Sequence, residues 1–106
     1  MKRIFVCSPY AGDVELNELV AETLCHQIVK MGHAPFAPHL LYPRFLDDQN
    51  DVEREIGMRT GHTFLRVCHE VWVYTGNGIS AGMQREIDYA NEIGKPVILW
   101  PCEEID

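Results

Sequence analysis

The sequence predicts a small α/β domain: a doubly wound parallel sheet of four or five strands, with helices on both faces. Three observations carry this. Short β-branched and aromatic runs alternate with stretches of helical periodicity, and the joints between them are short. The run "EVWVY" (70–74) has too little polar alternation to face water, so it belongs in the middle of a sheet.

The first strand is "RIFVC" (3–7), closed by "SPYAGD", a loop of turn formers. A helix over 14–31 follows, with Leu16, Leu19, Val20, Leu24, Ile28 and Met31 on one stripe, Asp13 as its cap and Gly32 as its stop. "APFAP" (34–38) is a second strand, which its prolines restrict to an edge or a strand end. Residues 39–51 read as a connection. The second helix covers 51–67 and should turn Val52, Ile56, Thr60, Phe64 and Val67 inward. The third strand is 70–74, the third helix 80–93, and "KPVILW" (95–100) the fourth strand. Parallel β/α units of this kind have right-handed crossovers and stack as a Rossmann-like or flavodoxin-like three-layer sandwich. Their ligand crevice lies beyond the carboxyl ends of the strands. Here that edge collects "CSPYAGD", "PHLLYPRF", "YTGNGISAG" and the tail after Trp100.

At 106 residues the chain reads as a single domain over 1–106, with 46% apolar and 24% charged residues, a globular profile. A net charge of −7 without a basic run argues against a nucleic acid polymer as partner, though not against a single nucleotide. Cys7, Cys25, Cys68 and Cys102 form no CxxC pair, and they read as free thiols in a reducing, cytoplasmic setting. No signal peptide and no apolar run of membrane-spanning length is visible, so no membrane partner is expected. His26, His33, His39, His62 and His69 include no HxH or HxxxH pair, and neither a metal nor another cofactor is expected. Cys7 ends a strand beside the crevice but has no activating base.

The informative residue is Glu86. Projected at 100° per residue, Gly82, Met83, Glu86, Ile87, Ala90 and Ile93 share an arc of about 140°. Glu86 is the only charge on that arc. A buried, unpaired carboxylate costs several kcal/mol. It therefore needs either a cationic partner, a route to solvent, or a function at the crevice. The turn ahead of it, "GNGISAG", is not a dinucleotide fingerprint, because its spacing is G-x-G-x-x-x-G and it follows the third strand. A glycine-rich start to a helix nonetheless binds anions through free N–H groups and the helix dipole. Ser80 fits as an N-cap, a phosphate contact, or both.

"SAGMQREIDYANEIGKPV" resembles the signature helix of the nucleoside 2-deoxyribosyltransferases and of the related 2′-deoxynucleoside 5′-phosphate N-hydrolases. Ser80, Gly82, Glu86, Ala90, Gly94, Lys95 and Pro96 fit that pattern. "RIFVCSPYAGD" is similar to the family's first strand and substrate loop, and "PHLL" to the end of the second strand in the N-hydrolases. "SPYAGD" and "PHLLYPRFLDD" look most like small bacterial and phage members. The resemblance implies that Glu86 attacks C1′ of a deoxyribose. It places Ser8, Tyr10 and Gly12 along the sugar and base, His39 in the site, and Ser80 and Gly82 on a phosphate or 5′-hydroxyl. It also implies a homodimer or higher homo-oligomer.

Chemically, a carboxylate stabilises or traps the oxocarbenium-like state of N-glycoside cleavage, and the departing base needs a proton. The sequence departs from the family at both supporting positions. The aspartate ahead of the third strand falls near Gly61, and the tyrosine of the first strand is Phe5. Tyr10, Asp47, Asp48 and His62 are the candidates for the missing acid. Two other classes of function stay open: a nucleotide-binding sensor or sponge without turnover, and an interaction protein using Trp72, Trp100 and "YPRF".

Overall fold

The computed structural model describes residues 1–100. The chain runs β1 (Arg3–Cys7), α1 (Val14–Lys30), β2 (Ala34–Phe36), two single 3-10 turns (Pro38–Leu40 and Tyr42–Arg44), α2 (Asp51–Leu65), β3 (Glu70–Tyr74), α3 (Ala81–Glu92) and β4 (Val97–Trp100). All strands are parallel, in the order β2-β1-β3-β4. Val6 lies beside Trp72, and Val73 beside Leu99. The order reverses between β1 and β3, which makes the space above their carboxyl ends the switch point of the sheet.

Period-two alternation sends β1 to both faces at once. Phe5 and Cys7 join Leu65, Val71, Val73, Met83 and Ala90 beneath α2 and α3. Ile4 and Val6 join Leu24 and Ile28 beneath α1, with Trp72, Tyr74 and Trp100 half-buried at the margin. The result is the expected three-layer sandwich with β3 inside the sheet. Asp13 caps α1 by accepting from Leu16 N at 3.1 Å, and Gly32 ends it with φ +88°. Cys7, Cys25 and Cys68 are free. Cys102 and the tail after Trp100 lie outside the described residues.

Two helical faces differ from the periodic reading. On α1, Leu24 and Ile28 are inward, but Leu16, Leu19 and Met31 are 46%, 58% and 57% exposed. The buried stripe is Asn17, Ala21, Leu24 and Ile28. Asn17 faces inward because its amide donates to the carbonyls of Tyr10 and Ala11, at 3.0 and 3.1 Å. On α2, which ends at Leu65 rather than 67, the expected set is turned outward: Val52, Ile56 and Phe64 are exposed, as is Val67 beyond the helix end. Gly61 and Leu65 are buried instead. A Cβ on Gly61 would sit 3.8 Å from Pro38, and one on Gly57 3.6 Å from Leu46. The glycines let the segment 38–46 lie directly on the helix, and that packing outweighs the apolar stripe on the other side. β2 also stops at Phe36 rather than 38, because the chain turns into a 3-10 turn at Pro38.

Candidate active site

At the switch point lies a cavity of about 290 Å³. Its floor and one wall come from α3, through Ser80, Ala81, Gly82, Met83 and Glu86. The loop after β1 gives Pro9, Tyr10 and Ala11; the 3-10 segment gives Pro38, His39 and Tyr42; and α2 with its preceding loop gives Asp48, Gly57 and Met58. The Asn17 amide holds the β1 loop in place, and Gly12 turns it with φ +97°.

Glu86 is 3% exposed, and its Oε1 has no hydrogen-bond partner among the described residues. Burial pushes its carboxyl up to about 8, against the opposing influence of the nearby Cys7 thiol, whose own hydrogen bond runs to the Met83 carbonyl at 3.6 Å, and of the Arg85 charge. Arg85 does not pair with it. Both of its terminal nitrogens go to Glu55, each at 3.1 Å, on the outer side of α3. The carboxyl is thus neither solvent-exposed nor neutralised by a cation. Cys7 is itself buried, which together with the nearby Glu86 charge raises its thiol so far that it is no thiolate at neutral pH.

Ser80 caps α3, its Oγ accepting from Met83 N at 3.2 Å. The N–H groups of Ala81 and Gly82, in the first turn and on the cavity wall, have no acceptor among the described residues. A Cβ on Gly82 would point at the Met58 methyl group, 3.6 Å away across the cavity wall.

The opposite wall is aromatic and titratable. Tyr10 stacks on His39 with ring centroids 5.3 Å apart and planes 28° from parallel. Burial lowers the His39 imidazole, while Asp48 and the Ser8 backbone favour its charged form. Burial also raises Tyr10, with Glu18 and Asp48 adding to it.

Of the residues singled out from sequence, Glu86, Tyr10, His39, Ser80, Gly82 and Asp48 line one cavity. Ser8 is buried beneath the loop with its Oγ unpartnered, and Gly12 shapes the loop without lining the cavity. Asp47 is off the wall as well: it accepts from Gln49 N at 3.0 Å on the surface, where it closes a turn. His62 is elsewhere, stacked on Tyr89 at 4.4 Å in the seam between α2 and α3. Met58 and Gly57, which the sequence reading does not single out, also line the wall, and Tyr42 comes from the "PHLLYPRF" loop expected at this edge. The pair of glycines four residues apart on α2 was the available signal for a close approach there. Among the described residues no group of three or more His, Cys, Asp or Glu side chains is placed to hold a metal ion.

Several solved structures share this architecture, two 2-deoxyribosyltransferases among them. A 2-deoxyribosyltransferase from the psychrotolerant bacterium Bacillus psychrosaccharolyticus aligns with a TM-score of 0.75 at 16% identity, over 92% of this chain and 70% of that one. A 2-deoxyribosyltransferase from Leishmania mexicana aligns with a TM-score of 0.63 at 15% identity, over 93% of this chain and 63% of that one. The chain thus spans less than two thirds of the second protein's length. At these identities the likeness is one of fold. No curated protein matches the sequence. No helix among the described residues is long and apolar enough to cross a membrane. A family profile matches residues 2–100, and the chain therefore belongs to that family, described as a domain of unknown function (DUF7768).

Proposed function

We propose that the protein breaks or exchanges the N-glycosidic bond of a nucleoside or nucleoside 5′-monophosphate, with Glu86 as nucleophile. One observation carries the reading: a carboxyl group buried in a cavity wall, with one oxygen unpartnered and no cation beside it. Such a group is costly unless the ligand completes it. The positive charge that develops at C1′ supplies that complement, and it appears most strongly in the transition state. The Glu86 oxygen forms a bond to C1′ while the electrons of the C1′–N bond leave with the base. Water or a second base then displaces the carboxylate. Ser80 and the free amides of Ala81 and Gly82 suit a 5′-phosphate, which the positive end of α3 favours. The fold shared with deoxyribosyltransferases supports a nucleoside as the substrate class.

A second reading, a nucleotide-binding module without turnover, is favoured by the same burial. It keeps Glu86 largely protonated at neutral pH, as a hydrogen-bond donor rather than a nucleophile. Incubation with a panel of nucleosides and monophosphates, followed by chromatography for free base, separates the two. Base release that disappears in Glu86→Gln is expected. Tight binding with no release would establish the module instead. We further place the protein in the cytoplasm, consistent with three free thiols, and as a homodimer that covers the exposed apolar residues of α2. A monomer mass in light scattering at micromolar concentration would refute the dimer.

A further inference from the structure

We propose that His39, supported by Asp48, is the proton donor to the departing base. The inference rests on the glycosidase reading above and assigns its missing half. Glu86 and His39 line one cavity of about 290 Å³, on walls contributed by different segments, with space for a ligand between them. Tyr10 stacks on one face of the imidazole and fixes its plane. Several charged or titratable groups share the site with the ring. Asp48, Glu53, Arg54 and Glu86 line the same cavity, and Glu18 lies near Tyr10. Arg54 is engaged by Asp51 at 2.8 Å, and Glu53 accepts from the Asp47 amide, which leaves Asp48 as the carboxylate acting on the ring.

The step balances. As a Glu86 oxygen bonds to C1′, the C1′–N electron pair moves onto the base, and the imidazolium of His39 gives that base its proton. Neutral His39 then takes a proton from the attacking water while the carboxylate leaves, which restores both groups. Burial favours a neutral His39 and a protonated Glu86. Moving that one proton from the carboxyl to the imidazole creates nucleophile and acid together.

The test compares leaving groups. The four natural 2′-deoxynucleosides need protonation of the base, whereas 4-nitrophenyl 2-deoxyriboside departs as a stable phenolate. His39→Gln should lose on the order of 100-fold or more in kcat/KM on the nucleosides and less than about threefold on the nitrophenyl glycoside. The low-pH dependence of the nucleoside reaction should weaken with it. Asp48→Asn should shift the His39 titration, followed by imidazole C–H resonances, to lower pH. Retained turnover of the nitrophenyl glycoside also reports that the variant is folded. Equal losses on both substrates, or none on either, would overturn the proton-donor role while leaving Glu86 untouched. Nitrophenyl release that survives in Glu86→Gln would instead overturn the nucleophile assignment, and absence of all turnover by the natural chain would overturn both.

Discussion

Glu86 reaches the cavity from the middle of a twelve-residue helix, packed on a face that also buries Met83 and Ala90. Tyr10, His39 and Asp48 reach it from loops and a three-residue 3-10 turn. The first wall is set by local periodicity and holds its carboxyl group by force of packing. The second exists only because three separate segments converge. A rigid element thus bears the group whose burial is costly, and the convergent loops bear the groups to which the proposed reaction assigns contact with the base and proton exchange. The division also explains why one wall tolerates an unpartnered atom. Cys7 and Met83, both buried, share that closely packed interior with the carboxyl.

The sharpest way to break this comparison is to neutralise the packed wall. Glu86→Gln should reduce base release by roughly three orders of magnitude or more, with ligand affinity in calorimetry little changed. The same variant has a stability signature of definite sign. The folded-state pKa of Glu86, about 8, lies above its ordinary 4.5, so the native state is the form that holds the proton. The associated stability is fully present below the ordinary value and is lost as pH rises toward 8. Glu86→Gln should therefore match the natural chain near pH 4 and exceed it increasingly above that. By pH 9 the melting temperature should be higher by on the order of 10 °C. A gap that does not grow with pH would mean that the carboxyl ionises freely.

A smaller effect probes the helix start. Gly82→Val points a branched side chain at Met58 and crowds the two free amides. It should cost a monophosphate about tenfold in affinity, or about 1.4 kcal/mol, and the parent nucleoside little. If the natural chain binds nucleoside and monophosphate equally, Ser80 is only a cap. The smallest effect is expected just off the convergent wall, at Asp47. That residue closes a surface turn and lines nothing, so Asp47→Asn should stay within about 0.5 kcal/mol in stability and leave turnover unchanged. Asp48→Asn, one position along, should not be silent. Equal behaviour of the two would dissolve the distinction between a wall residue and its neighbour.

The same contrast separates what could be read before the fold was known. The third helix offers a single charged residue on an otherwise apolar arc, and the arc is the buried face, so Glu86 was legible. On α2 the arc Val52, Ile56 and Phe64 is equally regular, yet it is the exposed one. Periodicity weighs each residue by hydrophobicity, and glycine counts for little on that scale. At Gly57 and Gly61 the gain comes from what the missing side chain lets approach. Asn17 misled in the same way on α1, as a polar residue buried by hydrogen bonds to a loop.

By itself, then, the sequence determined the alternation of strands and helices, the parallel sheet with β3 inside, the capped start of α3, and the isolation of Glu86. Each follows from residues within a turn or two of one another. Only the tertiary structure decided which faces of α1 and α2 are buried, that Arg85 turns to Glu55 rather than to Glu86, and that His39, Tyr10 and Asp48 share a wall while Asp47 and His62 do not. Those outcomes depend on contacts between segments far apart along the chain, where shape, competing partners and desolvation act together and leave no local pattern to read.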